Sequence, residues 1–100
     1  MEGYKLVRDH IPDINHKNGE TCEIIRLKTE QEYEQALLEK LHEEVSEYQT
    51  DRTLEELADI MEVISAIAES RHSSLEEIDQ IRIQKKKERG GFEKRIMLKI

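Results

Sequence analysis

The stretch Leu41-His42-Glu43-Glu44-Val45-Ser46-Glu47-Tyr48-Gln49-Thr50-Asp51-Arg52-Thr53-Leu54-Glu55-Glu56-Leu57-Ala58-Asp59 decides how this chain folds. It carries the end of one helical pattern, the tight connection Asp51-Arg52-Thr53, and the start of a second pattern. A link this short makes the two helices antiparallel neighbours. Upstream, Thr29 with Glu32 forms a capping-box signal for a helix running to about Thr50. Thr53 with Glu56 repeats the signal for a helix to about Ser70.

Each helix places a glutamate where its own period demands an apolar side chain. At about 100° per residue, the apolar arc runs from Tyr33 at 0° through Leu37, Tyr48, Leu41 and Val45 to Leu38 at about 140°. Glu44 lands inside that arc at about 20°, while Lys40 and Glu47 sit just outside it. With Leu54 at 0°, Glu56 lies at about 200°, between Val63 and Ile67, and Asp59 at the margin of the apolar face. The pattern is thus one inward acid with a second acid three residues on, twice over. Antiparallel packing would bring Glu44, Glu47, Glu56 and Asp59 face to face. Carboxylates lining one cleft repel and raise one another's pKa unless cations neutralise them. An oxygen-only set with no histidine at ligand spacing favours magnesium, or manganese as a substitute. The competing reading is salt bridging between these acids and basic residues near the end of the chain. Glu43, Glu55 and Glu62 read as solvated helix-face charges.

Working outward, Tyr4-Lys5-Leu6-Val7-Arg8-Asp9-His10-Ile11-Pro12 leads into a short helix for which Asp9 is the expected cap, with Ile11 and Ile14 facing inward. Lys17-Asn18-Gly19-Glu20 ends it. Thr21-Cys22-Glu23-Ile24-Ile25-Arg26-Leu27 is rich in β-formers and is expected to be a strand, paired with a closing strand Arg95-Ile96-Met97-Leu98-Lys99-Ile100. Ser74 with Glu77 caps a third long helix that ends near Arg89, where Gly90-Gly91 stops it. Lys85-Lys86-Lys87-Glu88-Arg89 complements the macrodipole of that last turn, or alternatively offers donors to phosphate oxygens.

Composition limits what such a chain can do. Its 100 residues make a single domain, 1–100, and 36% hydrophobic against 39% charged residues leaves a thin private core that association between copies would supplement. The net charge of −7 argues against a partner among nucleic-acid polymers. Residues 1–81 carry 8 Lys/Arg against 21 Asp/Glu, and residues 82–100 carry 8 against 2. An acidic middle beside a basic end suits a metal with an anionic ligand, as well as charge pairing between helices. One cysteine, Cys22, excludes an internal disulfide and a cysteine-based zinc cluster, and reads as a small core residue. His10, His16, His42 and His72 share no spacing that implies a joint role and read as surface or capping residues. Without an apolar leader or a long apolar run, the expectation is a cytoplasmic protein with no membrane partner.

The order Glu43, Glu44, Glu47, then Glu56, Asp59 resembles the E-E-x-x-E…E-x-x-D signature of the all-α NTP pyrophosphatases, which include MazG-type enzymes, dimeric dUTPases and phosphoribosyl-ATP pyrophosphohydrolases. The opening Tyr4–Pro12 and the closing Arg89-Gly90-Gly91-Phe92 are similar to the small stand-alone, MazG-related branch. The resemblance implies a mainly α antiparallel helical bundle, here with short terminal strands, assembled as a homo-oligomer, either dimer or tetramer. It implies hydrolysis of a nucleoside triphosphate between the α and β phosphates. Glu44, Glu47, Glu56 and Asp59 would hold magnesium, and one of them or Glu43 would orient or deprotonate the attacking water. Lys5, Arg8, Lys85 and Arg89 would contact phosphate. The opening motif departs from the family's pattern at His10, where lysine is common. A phosphoribosyl-nucleotide substrate and a non-enzymatic acidic interaction module remain open as alternatives.

Overall fold

A computed structural model describes residues 3–100. Four α-helices follow in order: α1 (Ile11–Lys17), α2 (Glu30–Asp51), α3 (Leu54–Ser70) and α4 (Leu75–Arg89). The fold is therefore mainly α, and its boundaries follow local chemistry. Each long helix starts on a hydroxyl cap: Thr29, Thr53 and Ser74 accept from the backbone N–H of Glu32, Glu56 and Glu77 at 3.1, 3.2 and 3.2 Å. Each bond satisfies one of the N–H groups that a helix start leaves without a partner.

The ends are equally explicit. Arg52 takes a left-handed conformation (φ 55°, ψ 35°) and its N–H returns to the Tyr48 carbonyl at 2.8 Å, so α2 stops and the chain reverses within Arg52–Thr53. After α3, His72 is left-handed (φ 60°), His72 N–H bonds Glu69 O, and Ser73 N–H bonds Ala68 O at 2.8 Å. This is a Schellman stop built on histidine instead of glycine. Gly90 closes α4 with φ 85° and an N–H bond to Lys86 O.

The α2–α3 hairpin is the body of the molecule, and α4 packs on α3 alone. Its core is small: Leu37, Val63 and Ala68 are the buried apolar residues, with Glu44 buried beside them. The predicted apolar arcs are right in direction but only partly covered. Leu41, Tyr48, Ile60, Ile64 and Ile67 are half-buried, whereas Leu38, Val45, Leu54, Leu57 and Met61 are exposed. Two helices crossing at one seam cannot cover arcs this wide.

Four expectations fail here. Among the described residues there is no β-strand: Thr21–Leu27 and Arg95–Ile100 are irregular and do not pair, so neither segment gains the ladder that would make it a strand. Asp9 does not cap α1; His10 holds the cap position without a side-chain bond. The reason is local, because Ile11 N–H already bonds Arg8 O and Pro12 has no N–H to offer. Ile11 is half-buried, but Ile14 faces outward. Cys22 is exposed and belongs to no core. No helix among the described residues is long and apolar enough to cross a membrane.

Candidate metal centre

The connection at Arg52–Thr53 folds α3 back along α2, so that the acids of both helices converge. Glu44 stands at the junction. One of its oxygens lies within 4.8 Å of oxygens from Glu43 and Glu47, and one lies within 4.8 Å of oxygens from Glu56 and Asp59. Glu44 is 6% exposed, the only buried charged residue among those described. The five acids singled out in the sequence thus fall in two groups that share Glu44.

Their partners are unequal. Lys40 Nζ, one turn earlier on α2, meets Glu44 Oε1 at 3.1 Å and Glu43 Oε2 at 3.4 Å. Glu44 Oε2 and Glu56 Oε2 are buried with no hydrogen-bond partner among the described residues. A buried carboxylate oxygen without a donor forfeits its hydration uncompensated, at a cost of about 1–3 kcal/mol or more. Two such atoms in one oxygen-rich cluster fit a hard divalent cation, which takes oxygen ligands and repays the desolvation.

The titration of the acids reports the same crowding. Glu47 is held above the usual carboxylate range, chiefly by repulsion from Glu44, with some desolvation added. Glu56 is also raised, first by desolvation and then by repulsion from Glu47, Asp59, Asp51 and Glu44. For Lys40, burial pulls the pKa down, but the hydrogen bond to Glu44 and the charges of Glu43 and Glu44 outweigh it and leave the ammonium above its ordinary value. Lys40 is thus a fixed cation in a site of excess negative charge. The wheel placed it only at the rim of the apolar arc; its i,i+3 and i,i+4 spacing to Glu43 and Glu44 is the signal that finds it.

The arm before α1 adds two more cations. Lys5 Nζ reaches Glu43 Oε1 at 3.4 Å, and Arg8 Nη2 reaches Asp59 Oδ1 at 2.7 Å. Two of the four basic residues named for phosphate contact therefore stand at the acid cluster. Lys85 and Arg89 do not: among the described residues neither makes an ion pair, and the pairs of the α4 region are Arg82–Asp79 and Lys86–Glu93. The salt bridge that the competing reading requires from this region to the acids is not formed among the described residues. The four histidines are all exposed and stand apart from the cluster. No protein-family model, curated protein or solved structure matches the chain.

Proposed function

We propose that this chain is a magnesium-dependent nucleoside triphosphate pyrophosphohydrolase of the all-α NTP pyrophosphatase type, MazG-like in its stand-alone branch. Its task would be house-cleaning of the cytoplasmic nucleotide pool. The observation that carries the reading is the pair of buried, unpartnered oxygens, Glu44 Oε2 and Glu56 Oε2, within a cluster of carboxylates from two helices. A helical interaction module has no use for such atoms, since they weaken the fold and present nothing to a partner.

Glu44, Glu47, Glu56 and Asp59 would hold magnesium, with manganese as a substitute. The ion would supply charge neutralisation for the triphosphate and a lower pKa for bound water. Lys5 and Arg8 would exchange their carboxylate partners for phosphate oxygens, as charge-assisted donors. A carboxylate of the cluster, or Glu43, accepts a proton from water as the water oxygen bonds to the α-phosphorus. The bond from that phosphorus to the α–β bridging oxygen breaks, and pyrophosphate leaves with the electron pair. Lys40 holds Glu44 Oε1 and Glu43 Oε2 throughout, which fixes the orientation of both carboxylates. The exposed apolar residues of α3 and α4 support assembly as a homo-oligomer, a dimer or tetramer.

The test is release of pyrophosphate from a panel of canonical and modified nucleoside triphosphates, with magnesium and with chelator. Metal-dependent release of pyrophosphate with the matching monophosphate is the expected result. No release from folded, metal-loaded protein across the panel would overturn the reading.

A further inference from the structure

Two segments remain unsatisfied in the isolated chain. No main-chain hydrogen bond reaches residues 21–28 among the described residues, nor residues 96–100. Both segments are rich in β-formers and both expose their apolar side chains. Ile24 is 53% and Ile25 41% exposed, and Ile96, Met97 and Leu98 are 74%, 95% and 82% exposed. Free main-chain groups beside exposed apolar side chains can pair with another segment as a strand.

The first segment forms one wall of an open groove of about 1030 Å³, whose other walls are the arm before α1 and the first half of α2. Its apolar lining includes Leu6, Val7, Ile24, Ile25 and Leu27. Its acids are Asp9, Asp13, Glu23, Glu32 and Glu39, set against Lys5, Arg8 and Arg26. Lys5 and Arg8 are already engaged by Glu43 and Asp59, so the surplus charge of the groove is negative. The second segment is the complement, an apolar run flanked and interrupted by Lys94, Arg95 and Lys99. In the single chain it projects into solvent beyond α4 and does not occupy the groove.

We propose that residues 95–100 of one copy lie in the groove of a second copy as a strand added alongside Cys22–Leu27. The exchange pairs the free main-chain groups of both segments, covers both apolar runs and sets the basic segment against the acidic groove. It gives a surface to the homo-oligomer of the proposed function, and it does not depend on the chemistry assigned to the acids.

Cys22, the only cysteine, lies in the receiving segment and is exposed, so it reports on the pairing directly. Full-length chains of two sizes, distinguished by an affinity tag, are co-expressed and oxidised mildly. One keeps Cys22; the other carries Cys22→Ser with Ile96→Cys, Met97→Cys, Leu98→Cys or Lys99→Cys in turn. A disulfide requires Cα atoms about 4.4–6.8 Å apart, so only facing positions close. The expected result is a mixed disulfide between the two sizes as the dominant oxidised species for at least one tail position, lost when Ile25→Asp is introduced in the receiving chain. In a parallel sample, a chain keeping Cys22 and carrying the same tail cysteine distinguishes the alternative. A disulfide within one chain there, without mixed species in the co-expression, would show the tail folding on its own groove and overturn the proposal. Tail–tail disulfides alone, or none at any position, would also overturn it. Pyrophosphate release measured on the same preparations reports separately on the catalytic reading.

Discussion

The α2–α3 hairpin and α4 are built from the same materials, hydroxyl caps, alternating charge and scattered isoleucines, yet they treat their acids in opposite ways. On α4, Asp79 is exposed and pairs with Arg82 at 2.7 Å, and Gln84 donates to Glu88. Every acid there is exposed, and none shares a site. In the hairpin, Glu44 is buried, Glu56 is half-buried, and each keeps an oxygen that nothing among the described residues satisfies. Charge density is therefore uninformative by itself. What separates a solvated face from a candidate centre is convergence, meaning acids from two helices driven together by an antiparallel turn.

The largest expected contrast is in activity. If the proposed function holds, Glu44→Gln or Glu56→Gln should reduce pyrophosphate release by about 100-fold or more, because each removes a charge that would hold the metal. Asp79→Asn on α4 should leave the rate within twofold, about the scatter of a neutral surface change. Equal losses at both places would erase the distinction.

Next comes packing. Leu37→Ala should cost about 2–5 kcal/mol in unfolding free energy, since Leu37 is 2% exposed in the hairpin seam. Ile81→Ala, at a 59% exposed position of α4, should stay within about 0.5 kcal/mol when measured by denaturation of the dissociated chain.

The pH dependence has a definite sign. Glu47 and Glu56 have folded-state pKa values above the ordinary value of 4.5, so between that value and their raised ones the folded chain binds more protons than the unfolded chain. Stability of the metal-free protein should therefore fall as pH rises through that window and return on acidification. Melting curves in chelator should show this slope in the wild type and a shallower one in Glu56→Gln. A steeper slope in the variant would contradict the assignment.

The smallest effect belongs to the arm. The Arg8–Asp59 pair is more than one-third exposed on both sides, so Arg8→Gln should change stability by no more than about 1 kcal/mol. The same change should raise KM for a triphosphate, which separates phosphate contact from a structural role.

Much of this was legible in the chain. Three caps, the connection at Asp51–Thr53 and the inward placement of Glu44 follow from spacing, because local hydrogen bonds and the helical period act over a few residues. The same period points Glu56 inward, and it is half-buried. The strands were not realised because strand formation is a property of two segments. Thr21–Leu27 and Arg95–Ile100 have the composition but share no main-chain hydrogen bond among the described residues. Asp9 failed as a cap through a detail of its neighbours, the missing N–H of Pro12 and the turn bond of Ile11. The helical period puts Lys40 just outside the apolar arc, and its spacing to Glu43 and Glu44 is what marks it as their partner.

The central claim is that the hairpin acids form a divalent-metal site, and calorimetric titration of magnesium and of manganese into the chelator-treated chain tests it most directly. Glu56→Gln and Glu62→Gln, the latter at an exposed position on the same helix, are titrated alongside. Saturable binding in the wild type and in Glu62→Gln, lost in Glu56→Gln, is the predicted result. Absence of binding at millimolar metal, or binding that survives Glu56→Gln unchanged, would contradict it.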